Sequence, residues 1–283
     1  PLPPPHSKQN QPELSGNRSR NAAIDIRSTS QLPQNWRRNL DLEKLEFHEL
    51  PASLRRVPFI DFNIERELGK DVLNVEKLNI KFEGLQILKN LSFTLKTRDK
   101  VILLGKSDLA KTLLLDILAG ETKPESGTVT WGITVSKGYF PNDNSKFFKT
   151  DDATLVDWLR PYSKEKDEGF LRGFLGKMLF SGNEALKKPA VLSGGEKARC
   201  MYSKLMLSGA NVLLVDGPTN HLDLESITAV NEGMKKFKGS ILFTSHDHEL
   251  IQTVANRVIE IGDDGSIIYD NQITYEGFLA AKG

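Results

Sequence analysis

VILLGKSDLAKTLLLDILAG, residues 101–120, decides how the rest of the chain is read. Val101 to Leu104 form a short, wholly apolar strand pattern that ends on Gly105, and an apolar helix is expected from about residue 111 to 118. Lys111 and Thr112 follow Gly105 at the spacing of the phosphate-loop pattern G-x-x-x-x-G-K-[ST]. In an intact loop of that kind, backbone N–H groups wrap the phosphates, the lysine reaches the outer phosphates and the hydroxyl binds Mg²⁺. The candidate phosphate-binding residues are therefore Gly105, Lys106, Ser107, Asp108, Leu109, Ala110, Lys111 and Thr112. The last glycine of the pattern is Ala110, so this stretch alone is a weak match.

Three further stretches add chemistry. NVLLVDG at 211–217 delivers Asp216 to the C-terminal end of an apolar strand, where ligands gather in open α/β sheets. A carboxylate there can hold a Mg²⁺ shell beside phosphates, although a plain strand-end aspartate fits too. ILFTSHDHEL at 241–250 ends another apolar strand at Ser245 and His246. A histidine so placed can touch a terminal phosphate or orient water, while His248 reads as a surface helix residue. LSGGEKAR at 192–199 sets a serine and two glycines before a helix, which suits an anion. A simple loop and helix cap is its competing reading.

In their order along the chain, 101–120, 192–199, 211–217 and 241–250, the four stretches resemble the ATP-binding cassette (ABC) family. LSGGE, with Ser193, Gly194, Gly195 and Glu196, resembles the family signature; VLLVDGPTNHLD resembles its Mg²⁺ strand and following loop, and TSHD its switch histidine. The resemblance implies an α/β fold of the P-loop NTPase kind: a mixed sheet with helices on both faces and a helical subdomain at about 150–200. It also implies ATP and Mg²⁺ as cofactors, with Thr112, Asp216 and Asn142 at the metal. Phe82 falls where the family puts an aromatic against adenine, with a core phenylalanine as the competing reading. PTNHLDLESITAV, KKPAVLSGGEKAR, TYEGFLA and RRVPFIDFNIERELGKDVLNVEKL are similar to the second cassette of the ABC-F proteins and the linker that leads into it. Proteins of that type have two cassettes and no membrane domain, and many act on the ribosome. The partners implied are a second cassette, upstream or in a homodimer, and the ribosome or tRNA, with a cytoplasmic location and no stable membrane insertion.

The chain departs from the family at two places. The family's phosphate loop reads G-x-N-G-x-G-K-[ST]; here Asp108 and Ala110 stand at glycine positions. If those positions have φ > 0, the side chains cost about 1–2 kcal/mol each, and the Asp108 carboxylate repels a polyphosphate, with Lys106 as a partial offset. Weaker ATP affinity is expected. Gly217 follows the Mg²⁺ aspartate where the family has a glutamate that activates water, a loss that typically costs about 10²–10⁴-fold in rate. Asn142 stands where a longer glutamine links metal and water, and neither Asp247 nor Glu249 is an evident substitute for the glutamate. Three readings compete: a cassette that binds nucleotide and hydrolyses it slowly or not at all, a scaffold without nucleotide, and an ATPase with unfamiliar compensation. The nucleotide-binding subunit of a membrane transporter is a further alternative. Because Ser193, Gly194 and Gly195 are intact, they are expected to complete a partner's site.

The remaining sequence bounds these readings. The chain has 283 residues, 39% hydrophobic, with a formal net charge of +1 that gives no global case for a nucleic-acid binder. One cysteine, Cys200, excludes an intrachain disulfide and fits a reducing compartment. No run approaches the apolar length of a membrane helix and no signal-peptide core opens the chain. Residues 1–38 carry six Lys/Arg against two acidic residues and few large apolar side chains, the pattern of a flexible basic arm; Trp36 beside Arg37 and Arg38 invites base stacking. Residues 39–70 read as a linker, with a docking segment of helical spacing at 40–50. The cassette is expected over 71–281. It begins with an alternating edge strand from Val72, includes helices at 154–160, 168–180, 196–208, 225–237 and 247–256, and closes with strand 257–261, two short strands and a helix.

Overall fold

The side chains of the apolar strands divide by parity. In the computed structural model, Val101 and Leu103 of β3 (Lys100–Leu104), Val212 and Leu214 of β6 (Val212–Asp216) and Leu242 of β7 (Ser240–Thr244) enter one core. Ile102, Leu213, Val215, Ile241 and Phe243 enter another on the opposite face. Neighbours in a strand point to opposite faces, so a strand apolar throughout needs a cover on both sides. The structure describes residues 56–149 and 153–282. The arm at 1–38, Trp36 and the docking segment at 40–50 lie outside the described residues.

The strands form a six-stranded sheet in the order β5-β6-β7-β3-β8-β9, where β5 is Lys137–Phe140, β8 Arg257–Ile261 and β9 Ile267–Asn271. All neighbours are parallel except β8 and β9. A second, antiparallel sheet runs β2-β1-β4, with β1 at Asp71–Phe82, β2 at Leu85–Lys96 and β4 at Ser126–Trp131. Helix α1 (Asp108–Ala119) shares the core between the sheets, with Leu114, Leu115 and Leu118 fully buried beside Leu78, Leu88 and Leu91. Truncating one such leucine to alanine costs about 2–5 kcal/mol. Arg257 ties β8 to the second sheet, donating to the Thr94 carbonyl at 2.7 Å and to Asp99 at 2.9 Å.

The opposite face is covered by α4 (Gly194–Leu207), α5 (Leu224–Lys236), α6 (His248–Val254) and α7 (Tyr275–Lys282), with the short α2 (Leu155–Leu159) and α3 (Glu168–Lys177) in the same core. Ile60 and Phe62 are buried in that core as well; the Phe62 ring lies 6.4 Å from Tyr202 and 6.0 Å from Phe237. Backbone bonds hold the same segment: Phe59 N–H donates to the Lys177 carbonyl and Glu65 N–H to that of Gly209. Among the described residues, no helix is long and apolar enough to cross a membrane.

Several elements differ from the sequence expectation. β1 is a central strand, paired with β2 and β4, rather than an edge; alternation reports one solvated face and says nothing about paired edges. Helix α3 stops at Lys177, before the expected residue 180, because Leu179 adopts φ 69 and Phe180 N–H turns back to the Leu175 carbonyl. One strand, β9, closes the chain before α7 where two were expected. Strand β5 is absent from the sequence reading, being four residues with a lysine and a glycine.

Candidate functional site

Four neighbouring parallel strands, β5, β6, β7 and β3, end on one rim of the large sheet. Beyond their C-terminal ends lie Asn142, Asp216 with Gly217, His246, and the loop from Gly105 to α1. That convergence at strand ends is what makes the rim a ligand crevice in α/β sheets.

The loop itself turns sharply once. Gly105 has φ 142, and a Cβ there would sit 2.5 Å from the Ile261 carbonyl oxygen, so the position needs glycine. Ser107 then caps α1, its hydroxyl accepting from Ala110 N–H at 3.1 Å. Helix begins at Asp108, three residues before the expected start, and neither Asp108 nor Ala110 has positive φ. The backbone strain expected from losing two glycines is therefore corrected: the capped helix takes both residues in ordinary helical conformation.

Lys111 is buried and donates to the Gly105 carbonyl at 3.0 Å and to Asp108 Oδ1 at 2.7 Å. His246 Nε2 lies 3.6 Å from the same Oδ1. The Lys111 hydrogen bond holds the Asp108 carboxyl below its ordinary value; burial opposes this, and the charges of Lys111 and His246 add to the lowering. Lys106 does not offset Asp108 as expected; its ammonium pairs with Asp263 at 2.8 Å on the surface. Leu109 is part-exposed and takes no part in these contacts.

The metal candidates are joined directly. Thr112 Oγ1 donates to Asp216 Oδ2 at 2.6 Å, and Thr244 Oγ1 donates to Asp216 Oδ1 at 2.6 Å while accepting from Gly217 N–H at 2.9 Å. Asp216 is 3% exposed, so this buried carboxylate is satisfied by two hydroxyls. Hard oxygen donors with one carboxylate suit Mg²⁺, which completes its shell with waters and phosphate oxygens. Asn142 Oδ1 accepts from Asn220 Nδ2 at 3.3 Å. Gly217 has φ 62, and a Cβ on it would collide with Asn220 Nδ2.

Ser193, Gly194, Gly195 and Glu196 lie at the start of a different helix. They open α4 in a reciprocal cap: Ser193 Oγ accepts from Glu196 N–H, and the Glu196 carboxylate accepts from Ser193 N–H at 2.8 Å. Both glycines pack against the 217–223 loop, where an added Cβ would lie 3.2 Å from His221 Cβ at Gly194 and 2.9 Å from the His221 carbonyl oxygen at Gly195. Phe82 sits in the other sheet, at the tip of the β1–β2 hairpin opposite Leu85, and is exposed. The sequence reading missed Thr244 and Asn220. Thr244 carries a signal, a hydroxyl at the end of an apolar strand beside the Asp216 strand; Asn220 carries none until Gly217 is seen to adopt positive φ.

A family model described as ABC transporter matches residues 88–220. The chain is 55% identical over 239 residues to an uncharacterized ABC transporter ATP-binding protein, YkpA, of Bacillus subtilis, covering 84% of this chain and 44% of YkpA. It is 31% identical over 225 residues to ABC transporter F family member 5 of Arabidopsis thaliana, covering 78% of this chain and 32% of that one. The chain thus spans less than half the length of these curated relatives. Among solved structures, the ATP-binding cassette MJ0796, a dimer bound to ADP and Pi, superposes with TM-score 0.61 at 19% identity, over 71% of this chain and 98% of the cassette. At that identity the likeness establishes the fold, an α/β cassette with helices on both faces.

Proposed function

Since this chain carries an ABC transporter ATPase domain of the P-loop NTPase class, related at moderate identity to ABC transporter F family members, we propose that it is an ABC-F-like nucleotide switch. In this reading it binds Mg-ATP at the strand-end rim, hydrolyses it slowly or not at all in its own site, and uses binding to close on a second cassette. ATP and Mg²⁺ are the ligands of such domains. The single observation that carries the reading is the direct Thr112–Asp216 contact, which joins the phosphate-loop hydroxyl to the strand-end carboxylate.

Each residue then has a task. Lys111 and the free loop amides bind phosphates, Thr112 and Asp216 hold the metal, and Thr244 orients Asp216. Asn142 would orient water, His246 would face the terminal phosphate and Phe82 would face adenine. Bound Mg²⁺ would supply charge neutralisation to the phosphates. Phosphoryl transfer depends on positioning and charge stabilisation, and Gly217 offers no side chain to position water. Ser193, Gly194, Gly195 and Glu196 present a separate helix N-terminus to the phosphates of a partner cassette. The NHLD loop at 220–223 and the entry segment at 55–78, which resemble those of ABC-F proteins, favour a ribosome- or translation-related action in the cytoplasm over the subunit of a membrane transporter. The scaffold reading keeps one observation in its favour, the occupation of Lys111 by Asp108.

Calorimetric titration with Mg-ATP, followed by phosphate release on the same sample, tests the proposal. Saturable binding with turnover at least about 10²-fold below that of an intact cassette is expected. Absence of binding at millimolar nucleotide would leave the scaffold.

A further inference from the structure

The phosphate loop of this chain contains an anion of its own. One oxygen of Asp108 faces both Lys111, at 2.7 Å, and His246, at 3.6 Å. The Lys111 side chain is 8% exposed, whereas that of Asp108 is 66% exposed. A buried ammonium needs a partner, and here the carboxylate supplies it from the solvent side. The local backbone permits this without strain. Asp108 opens α1 three residues before Lys111, a spacing that places both on one helix face. The Ser107 hydroxyl, meanwhile, takes the Ala110 N–H, one of the loop amides otherwise free for phosphate.

We propose that Asp108 is an internal competitor for the phosphate site, engaging Lys111 until a nucleoside polyphosphate displaces it. The carboxylate thereby raises the nucleotide concentration needed for half-occupancy. This inference rests on the reading that Lys111 holds phosphates. It differs from plain repulsion between Asp108 and a polyanion. Under repulsion, removing the charge tightens binding whether or not Lys111 is present. Under competition, the gain runs through Lys111, because the freed ammonium is what the phosphate gains.

Calorimetry with Mg-ATP and Mg-ADP on the parent chain, Asp108→Asn, Lys111→Met and the double variant separates the cases, with thermal denaturation of each nucleotide-free protein as a second readout. Asp108→Asn is expected to tighten binding on the order of tenfold, the scale of one charge-assisted contact at a part-exposed site. In the Lys111→Met background the gain is expected to vanish; where neither Lys111→Met protein binds, the nucleotide-free melting cycle decides, and strictly additive shifts overturn competition. The nucleotide-free melting shifts of the two single variants are expected to add up to more than that of the double variant. A parent that binds nucleotide with Asp108→Asn no tighter overturns competition and leaves the nucleotide reading standing. An equal gain with and without Lys111 also overturns it, in favour of repulsion. If neither the parent nor Asp108→Asn binds while both melt as folded proteins, the competitor and the nucleotide reading fail together.

Discussion

At residue scale, Gly217 sits where a side chain has neither the backbone conformation nor the room it needs. Its φ of 62 disfavours any side chain, and the space a Cβ would take is held by Asn220, itself bonded to Asn142. Gly217→Glu is expected to lower stability by about 1–2 kcal/mol from backbone conformation alone, and to leave phosphate release unrestored. Thermal denaturation and a phosphate assay check this; a variant as stable as its parent, with turnover gained, would contradict it. The sequence made the convergence of Lys111, Thr112, Asp216 and His246 legible, since each ends or follows an apolar strand. It did not reveal that Asp108 bonds Lys111, that Lys106 turns to Asp263, or that Asn220 fills the place beside Gly217. Those are facts of side-chain direction, which spacing along a chain does not encode.

At the scale of elements, the caps decide where α1 and α4 begin. At α1, Ser107 caps early and draws Asp108 and Ala110 into the helix; glycine positions inherited from a family pattern gave no hint of it. At α4, the reciprocal cap relies on Glu196, whose burial raises its carboxyl pKa but is outweighed by hydrogen bonds from Lys187 and Ser193, leaving it below the ordinary value of 4.5. A carboxyl depressed in the folded state stabilises fully above its unfolded pKa and loses that contribution as pH falls through the folded value. Glu196→Gln is thus expected to lower stability at neutral pH and to flatten the acid limb of the stability profile below about pH 4.5. Denaturant melts from pH 7 to 3 read both effects, and parallel parent and variant profiles would refute the assignment. Long apolar elements were legible from periodicity. The centrality of β1 was not, because a strand's partners lie in remote sequence.

For the whole molecule, the two proposed anion-binding surfaces differ. The rim around Lys111 carries Asp108, and Gly217 follows Asp216, whereas the α4 terminus has Ser193 and both glycines. In a reconstituted pair with an intact cassette, Ser193→Gly is expected to reduce ATP turnover about tenfold or more, as loss of a donor to transferring phosphate does. The cap itself loses only a few tenths of a kcal/mol by that change, so unchanged melting with unchanged turnover would remove Ser193 from the partner's site. The α4 helix that bears this surface is also the one against which the incoming chain is wedged. Phe62 packs on Tyr202 of α4 and Phe237, and Asn211 clasps the Arg66 carbonyl just before β6. Mechanically the irregular segment of residues 59–66 is a hawser made fast to two posts, Phe59 N–H to the Lys177 carbonyl at the end of α3 and Asp61 N–H to Met206 Sδ of α4, so a pull along the chain would load both helices together.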